Sequence, residues 1–199
     1  MRLWPLTKKT AYMIHSVQFT AVIDTNVIIP IEIRDLLFWF AHDGLFTMKW
    51  SKHIFDEWLS VMKRMGVSDE EADKRMQMAF RAFPDAMVEG YEPLIDSLTL
   101  KDPNDRHVVA AAIKAKANVI VTNNLKDFPE EMLSQFGIAA ISADDFLVDT
   151  IDLNPDVAIG AFRNLVLGRR NPDLDEYQVI ERLKNAGLRK TADYLRALI

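Results

Sequence analysis

The sequence predicts an α/β fold, with a central parallel sheet flanked by helices and a small all-helical C-terminal extension. Three observations carry this. Two short apolar runs, Phe19–Ile23 and Asn118–Thr122, read as strands buried on both faces, the pattern of a parallel sheet. Segments with helical spacing alternate with them. Beyond Asn154-Pro155 only helical patterns remain.

The stretch FTAVIDTNVIIP, Phe19 to Pro30, organises the chain. Its strand ends on Asp24, which places a carboxylate at the carboxyl edge of the sheet, where open α/β folds hold their ligands. Thr25 and Asn26 add oxygens beside it. Asp24 would equally cap the following turn or helix.

The next segment, Ile31–His42, sets Ile33, Leu36, Leu37, Phe40 and Ala41 at helical spacing, and Gly44 ends it. Arg34 and Asp35 lie in its first half and, one position apart, are expected to pair elsewhere. Leu45–Trp50 is a candidate strand. Ser51 caps a helix from Lys52 to about Met65, with Glu57 beside Trp58. Ser68-Asp69-Glu70-Glu71 reads as a capping box, opening a helix that Pro84 closes. Met76, Phe80 and Phe83 are its expected inner face, and the methionines from Met62 to Met78 its core filler.

Ala86–Val88 is a possible short strand, and Gly90–Leu100 has no clear pattern. Asp102, Pro103 and Asp105 make a clean helix start, and Ala110–Ala112 let that helix lie close to a sheet. The second buried strand ends at Thr122, followed by Asn123, Asn124 and Asp127. A short helix (Pro129–Phe136), a third strand (Ile138–Ile141) and a helix (Ala143–Thr150) complete the main domain. The boundaries expected are a leader at 1–18, a main domain at 19–153 and a helical extension at 154–199, with Met13 a possible functional start. The extension holds helices over Pro155–Leu167, Asp175–Ala186 and Leu188–Leu198. Forty-five residues make a marginal core alone, so it is expected to pack on the main domain through Leu165, Leu183, Leu195 and Leu198.

Composition narrows the chemistry. The chain has 199 residues, 49% of them hydrophobic and 27% charged, with no cysteine and four histidines. Thiolate sites, disulfides and cysteine nucleophiles are excluded. No apolar segment is long enough to span a membrane, and the first residues lack a secretory pattern, so the cytoplasm is the default location. The net charge of −5 is uneven. Residues 155–199 hold eight Lys/Arg against six Asp/Glu, and residues 1–154 hold sixteen against twenty-three. The main body is therefore acidic.

Four carboxylates recur at element ends or beside apolar neighbours: Asp24, Glu57, Asp105 and Asp127. Two carboxylates about 4 Å apart repel by roughly 4 kcal/mol at an effective dielectric of 20. A divalent cation relieves this, and all-oxygen ligands favour Mg²⁺ or Mn²⁺. Such an ion polarises a phosphate and activates water for in-line attack on phosphorus. Each acid has a plainer role open to it: Asp105 complements the helix dipole, Glu57 suits an exposed helix face, and Asp127 suits a turn. Asp102 is assigned to capping, and His107 to a structural or solvated position.

Taken together, VIDTN, RDLLFWFAHDGLFTMKWSKHIFDEW, DPNDRHVVAAAI and VIVTNNLKDFP resemble the PIN-domain nucleases, and within them the VapC-like toxin ribonucleases that carry a helical C-terminal extension. The resemblance covers about Phe19 to Val148. It implies a three-layer fold, an acidic pocket holding Mg²⁺ or Mn²⁺, and cleavage of RNA. Asp24, Glu57 and Asp105 match the family's first three acids. Many members have a fourth acid where this chain has Asn124, and Asp127 is the nearest substitute. Asn124 brings an amide oxygen but no charge, which bears on a second metal.

By this resemblance Asp24 and Asp105 hold the metal, Glu57 ligates it or orients the attacking water, and Asn124 and Asp127 complete the shell. Arg106 and Lys126 flank the acids as candidate RNA-phosphate contacts. A cognate antitoxin protein and a homodimer are implied partners. Two other classes stay open: a PIN fold without strong catalysis that binds RNA or protein, and a phosphatase of another α/β fold. The latter wants a second Asp two residues after Asp24, where this chain has Asn26.

Overall fold

The computed structural model describes residues 19–170 and 172–199. The expected leader and the start at Met13 lie outside the described residues. From the described N-terminus run β1 (Thr20–Ile23), α1 (Thr25–Ile28), α2 (Ile31–His42), β2 (Thr47–Ser51), α3 (Lys52–Arg64), α4 (Asp69–Ala82), β3 (Met87–Val88) and α5 (Glu92–Ile95). After a 3-10 turn at Pro103–Asp105 come α6 (Arg106–Lys114), β4 (Val119–Val121), a second 3-10 turn at Leu125–Asp127, α7 (Glu130–Leu133) and β5 (Ala139–Ile141). Four helices finish the chain: α8 (Ala143–Leu153), α9 (Pro155–Gly168), α10 (Glu176–Asn185) and α11 (Arg189–Leu198). Among the described residues no helix is long and apolar enough to cross a membrane.

The five strands are all parallel, in the order β3-β2-β1-β4-β5. The chain winds outward from β1 to β2 and β3, then returns to place β4 on the other side of β1. The order reverses between β1 and β4, and in open parallel sheets that crevice, at the carboxyl ends of the strands, is the ligand site. Ala21, Val22 and Ile23 have no exposed surface, as the central strand of a covered sheet requires. Ala110, Ala111 and Ala112 of α6 are equally buried, and their small side chains bring that helix close to β1, β2 and β4.

Trp50 of β2 anchors the other face, with Phe55, Phe38 and Phe83 around it at centroid distances of 4.9, 5.8 and 5.8 Å. Such tilted and edge-on pairs add to burial through ring quadrupoles. The segment without a clear pattern, Gly90–Leu100, holds the one-turn α5 and buries Tyr91, Leu98 and Leu100.

Several local expectations need correction. The fully buried positions of α4 are Ala72 and Ala79; Met76 and Phe83 are half-buried against the core as expected, while Phe80 is 39% exposed, stacked on Phe55 at 4.6 Å. Small residues let α4 approach its neighbour more closely than the larger ones would. Of the methionines, Met62 is core, whereas Met65 is 70% exposed. Ser68 accepts from the Glu71 amide at 3.3 Å, but the Glu71 carboxylate turns forward to Arg75 at 3.1 Å, so only half of the capping box forms. Arg34 and Asp35 do pair, at 3.2 Å. Arg34 is held over the Trp58 ring at 5.5 Å and its fork folds back along its own helix.

The helical extension docks at two points. Arg169, just past α9, bonds Asp35 of α2 at 3.1 Å, and α9 packs along α2. The second point is a cap supplied across the fold. Leu188, the residue before α11, offers no capping side chain. The Asp144 carboxylate of α8 accepts from the backbone amides of Lys190 and Thr191, at 3.0 and 2.9 Å, and from the Thr191 hydroxyl at 2.8 Å. Buried Phe162, Leu165, Ile180, Leu183 and Leu195 join these helices to the common core, while Leu198 is only partly buried.

Asp144→Ala removes these acceptors at once. It is expected to lower the unfolding free energy by about 1–2 kcal/mol, read as a shift of the urea midpoint, and to make α11 the first site of proteolytic cutting. Asp144→Asn, which keeps one acceptor oxygen, should lose less.

Candidate active site

The acids gather at the β1–β4 switch point. The Asp24 amide continues the ladder, donating to the Val121 carbonyl at 3.0 Å, so the side chain is held at the sheet edge. It is 5% exposed. One oxygen accepts from the Thr25 amide at 2.6 Å, the capping bond of α1. The other accepts from the Thr122 hydroxyl at 2.7 Å and from the Asn26 amide. Asn26 also donates to Thr122 at 2.9 Å and accepts from the Asn123 amide at 2.9 Å, tying the two strand ends together. Asp24 thus caps a helix and faces the switch point at once. Burial raises its pKa, against the lowering effect of the Thr122 and Thr25 bonds, and the Glu57 charge adds to the rise.

Glu57 reaches the same place from the second turn of α3. Its two oxygens are clamped separately: the Thr25 hydroxyl donates to one, and His107 Nε2 stands 3.0 Å from the other. Burial pushes its carboxyl upward, but the bonds from His107 and Thr25, helped by the charges of His107 and His53, outweigh it and hold the pKa below the ordinary value.

Asp105 ends the 3-10 turn before α6. Capping there is done by Asp102, which accepts from the Asn104 amide at 2.9 Å, so the Asp105 side chain is not spent on a cap. Its Oδ2 is buried with no hydrogen-bond partner. Burial, then the charges of Asp24, Asp102 and Asp127, raise its pKa from 3.8 to about 6. Asp127 is buried in the turn after β4, where the Asn124 amide donates to its carboxylate, and the Asn124 backbone donates to the Thr122 hydroxyl at 3.0 Å. Asp24, Glu57, Asp105 and Asp127 therefore share one electrostatic neighbourhood. Arg106 is half-buried with an unpartnered Nε, and Lys126 is exposed.

Among the described residues no three His, Asp or Glu side chains already stand as a coordination shell. The donor chemistry nonetheless suits a hard dication. All candidate donors are oxygens, two of the carboxyls are held above their ordinary pKa, and Asp105 Oδ2 is buried without a partner. Asp24, Asp105 and Asp127 could hold such an ion, with the Asn124 amide oxygen beside them.

His107 takes the structural one of its two expected places, buried against Glu57, a partner that the sequence did not indicate. His53 stacks on it with ring centroids 5.1 Å apart. The available signal was spacing: His53 precedes Glu57 by one helical turn, which sets both on the same face. Beyond Asn123, a cleft of about 370 Å³ runs to Ile33, Ser142, Asp145 and Lys190.

The PIN domain family matches residues 20–126, and the VapC50 C-terminal domain matches residues 143–197. The second match begins with α8, the helix that caps α11. "Putative ribonuclease VapC50" from Mycobacterium tuberculosis (strain ATCC 25618 / H37Rv) is 36% identical over 94 residues, which are 47% of this chain and 55% of that protein. The chain thus spans little more than half the length of that relative. No solved structure matches it. With a parallel sheet, strand-end acids and a family match over more than half of its length, the chain belongs to the PIN-domain family and carries a VapC50-type C-terminal domain.

Proposed function

We propose that this protein is a divalent-metal-dependent endoribonuclease that hydrolyses RNA phosphodiester bonds as the toxin of a type II toxin–antitoxin pair. The observation that carries the proposal is Asp105: a carboxyl driven up to about 6 by burial and by three neighbouring acids, with one oxygen buried and unpartnered. Such a group wants a cation. The ribonuclease named among its relatives supports RNA as the substrate.

Asp24 and Asp105 would hold Mg²⁺ or Mn²⁺, with Asp127 and the Asn124 amide oxygen completing the oxygen set. When bound, that ion supplies charge stabilisation to the phosphate and acidity to water. Glu57, kept ionised by its two clamps, orients the attacking water and accepts its proton. Arg106 and Lys126 stand at the rim for RNA phosphates. The partners in this reading are an antitoxin that covers the acidic hollow and a second copy of the chain, and the setting is the cytoplasm. The division into 19–153 and 154–199 is part of the same proposal.

Asp24→Asn removes the charge and keeps one of the two acceptor oxygens, which serve Thr25 and Thr122 separately. It is expected to abolish cleavage of an RNA substrate in Mg²⁺ or Mn²⁺ titrations, with unchanged circular dichroism, and chelation of the wild type should do the same. RNA binding without cleavage, indifferent to Asp24→Asn, would instead make the fold a recognition module.

A second expectation concerns pH. Asp24 and Asp105 both have raised pKa values in the fold, so their protonated forms are favoured there. The stability they contribute is fully present below the ordinary value of 3.8 and is lost as pH rises through their raised values, about 6 for Asp105. Chelated protein should therefore melt at progressively lower temperature from pH 4 to pH 7. Asp105→Asn should flatten that slope, and added Mg²⁺ should stabilise the wild type chiefly above pH 6.

A further inference from the structure

Beside the acids, His53 and Tyr91 have no part in the scheme above, and His107 enters it only as one of the clamps that keep Glu57 ionised. We propose that they form a positioning relay that fixes the Glu57 carboxylate at one angle for its work on the attacking water, an inference that rests on the nuclease reading.

The relay is continuous. A carboxylate only accepts hydrogen bonds, so His107 Nε2, 3.0 Å from Glu57 Oε1, carries the proton and donates. The opposite ring nitrogen, Nδ1, is buried with no partner. His107 is 7% exposed, so no solvent shell orients it. Its ring is steadied instead by the face of His53, 5.1 Å away and tilted by 25°. His53 is fixed in turn by the Tyr91 hydroxyl, 2.5 Å from its Nδ1. Tyr91 has no exposed surface.

A packing role alone does not account for His107. An apolar side chain of similar size would fill the site without stranding a buried nitrogen, which costs free energy wherever it is left unpaired. The imidazole is explained by the bond that it gives to Glu57. The side chain of Glu57 is 43% exposed and long, and without that bond Thr25 alone among the described residues would restrain it. A carboxylate free to rotate still attracts substrate and cation, but spends less time aligned with water. The loss therefore falls on kcat and not on KM.

The test uses the full-length protein with an RNA substrate and Mg²⁺ or Mn²⁺. His107→Leu keeps the bulk and drops the donor; His107→Gln keeps an N–H close to the Nε2 position. The Leu variant is expected to lose about 10- to 100-fold in kcat with KM unchanged, and the Gln variant to recover most of it. Wild-type kcat in folded His107→Leu, or a Gln variant as slow as the Leu variant, overturns the relay. Should His107→Leu fail to fold, Tyr91→Phe, which removes only the hydroxyl, decides: a lower kcat at constant KM supports the relay, and an unchanged kcat overturns it. Should the wild type not cleave RNA, the nuclease reading falls, while ¹⁵N imidazole spectra still judge the bond. An Nε2–H tautomer of His107 that disappears in Glu57→Ala upholds it; a spectrum indifferent to that change overturns it.

Discussion

Repulsion among carboxylates in a half-dry crevice is the constraint that the rest of this fold answers. Asp24, Asp105 and Asp127 are drawn from three loops at one sheet edge, and the charges of Asp24 and Asp127 make Asp105 harder to ionise. Left to themselves these loops would splay. What prevents it is a short polar lattice anchored in the best-buried part of the molecule: Thr122 and Asn26 hold Asp24, Asn26 holds the Asn123 backbone, and Asn124 holds Asp127. The lattice joins the two strands on either side of the switch point, so sheet pairing and site geometry are one structure. Glu57 escapes the rise in pKa of Asp24 and Asp105 because its two donors come from outside the acid set.

Much of this was legible in the sequence. A parallel strand covered on both faces has to be continuously apolar, so β1 and β4 announced themselves, and their polar ends marked the site edge. Helix starts were readable where a capping oxygen is local, as at Ser51, Asp102 and Asp175. The fold class and the family resemblance stand on those elements. Strand order was not readable, because it depends on which crossovers the whole chain can pack.

The misses share a cause: contacts made across the fold override local pattern. Phe80 keeps helical register with Met76, but Ala72 and Ala79 pack closer and take the inner positions. Arg34 and Asp35 do not face each other by helical geometry, yet a long guanidinium pinned over Trp58 folds back to its neighbour. His107 finds its partner in Glu57, half a hundred positions earlier, and no periodicity links the two. The one-turn α5 is too short to carry a pattern at all.

The packing of α9 on α2 has a bearing on how the chain acquires its shape. Two helices more than a hundred residues apart in the sequence cover each other. Until the later one emerges from the ribosome, part of the earlier one's apolar flank has no cover, and long-range contacts of this kind form slowly. A nascent chain halted after β5 would thus display a greasy ridge that chaperones bind. The arrival of the last helices would be the event that releases it.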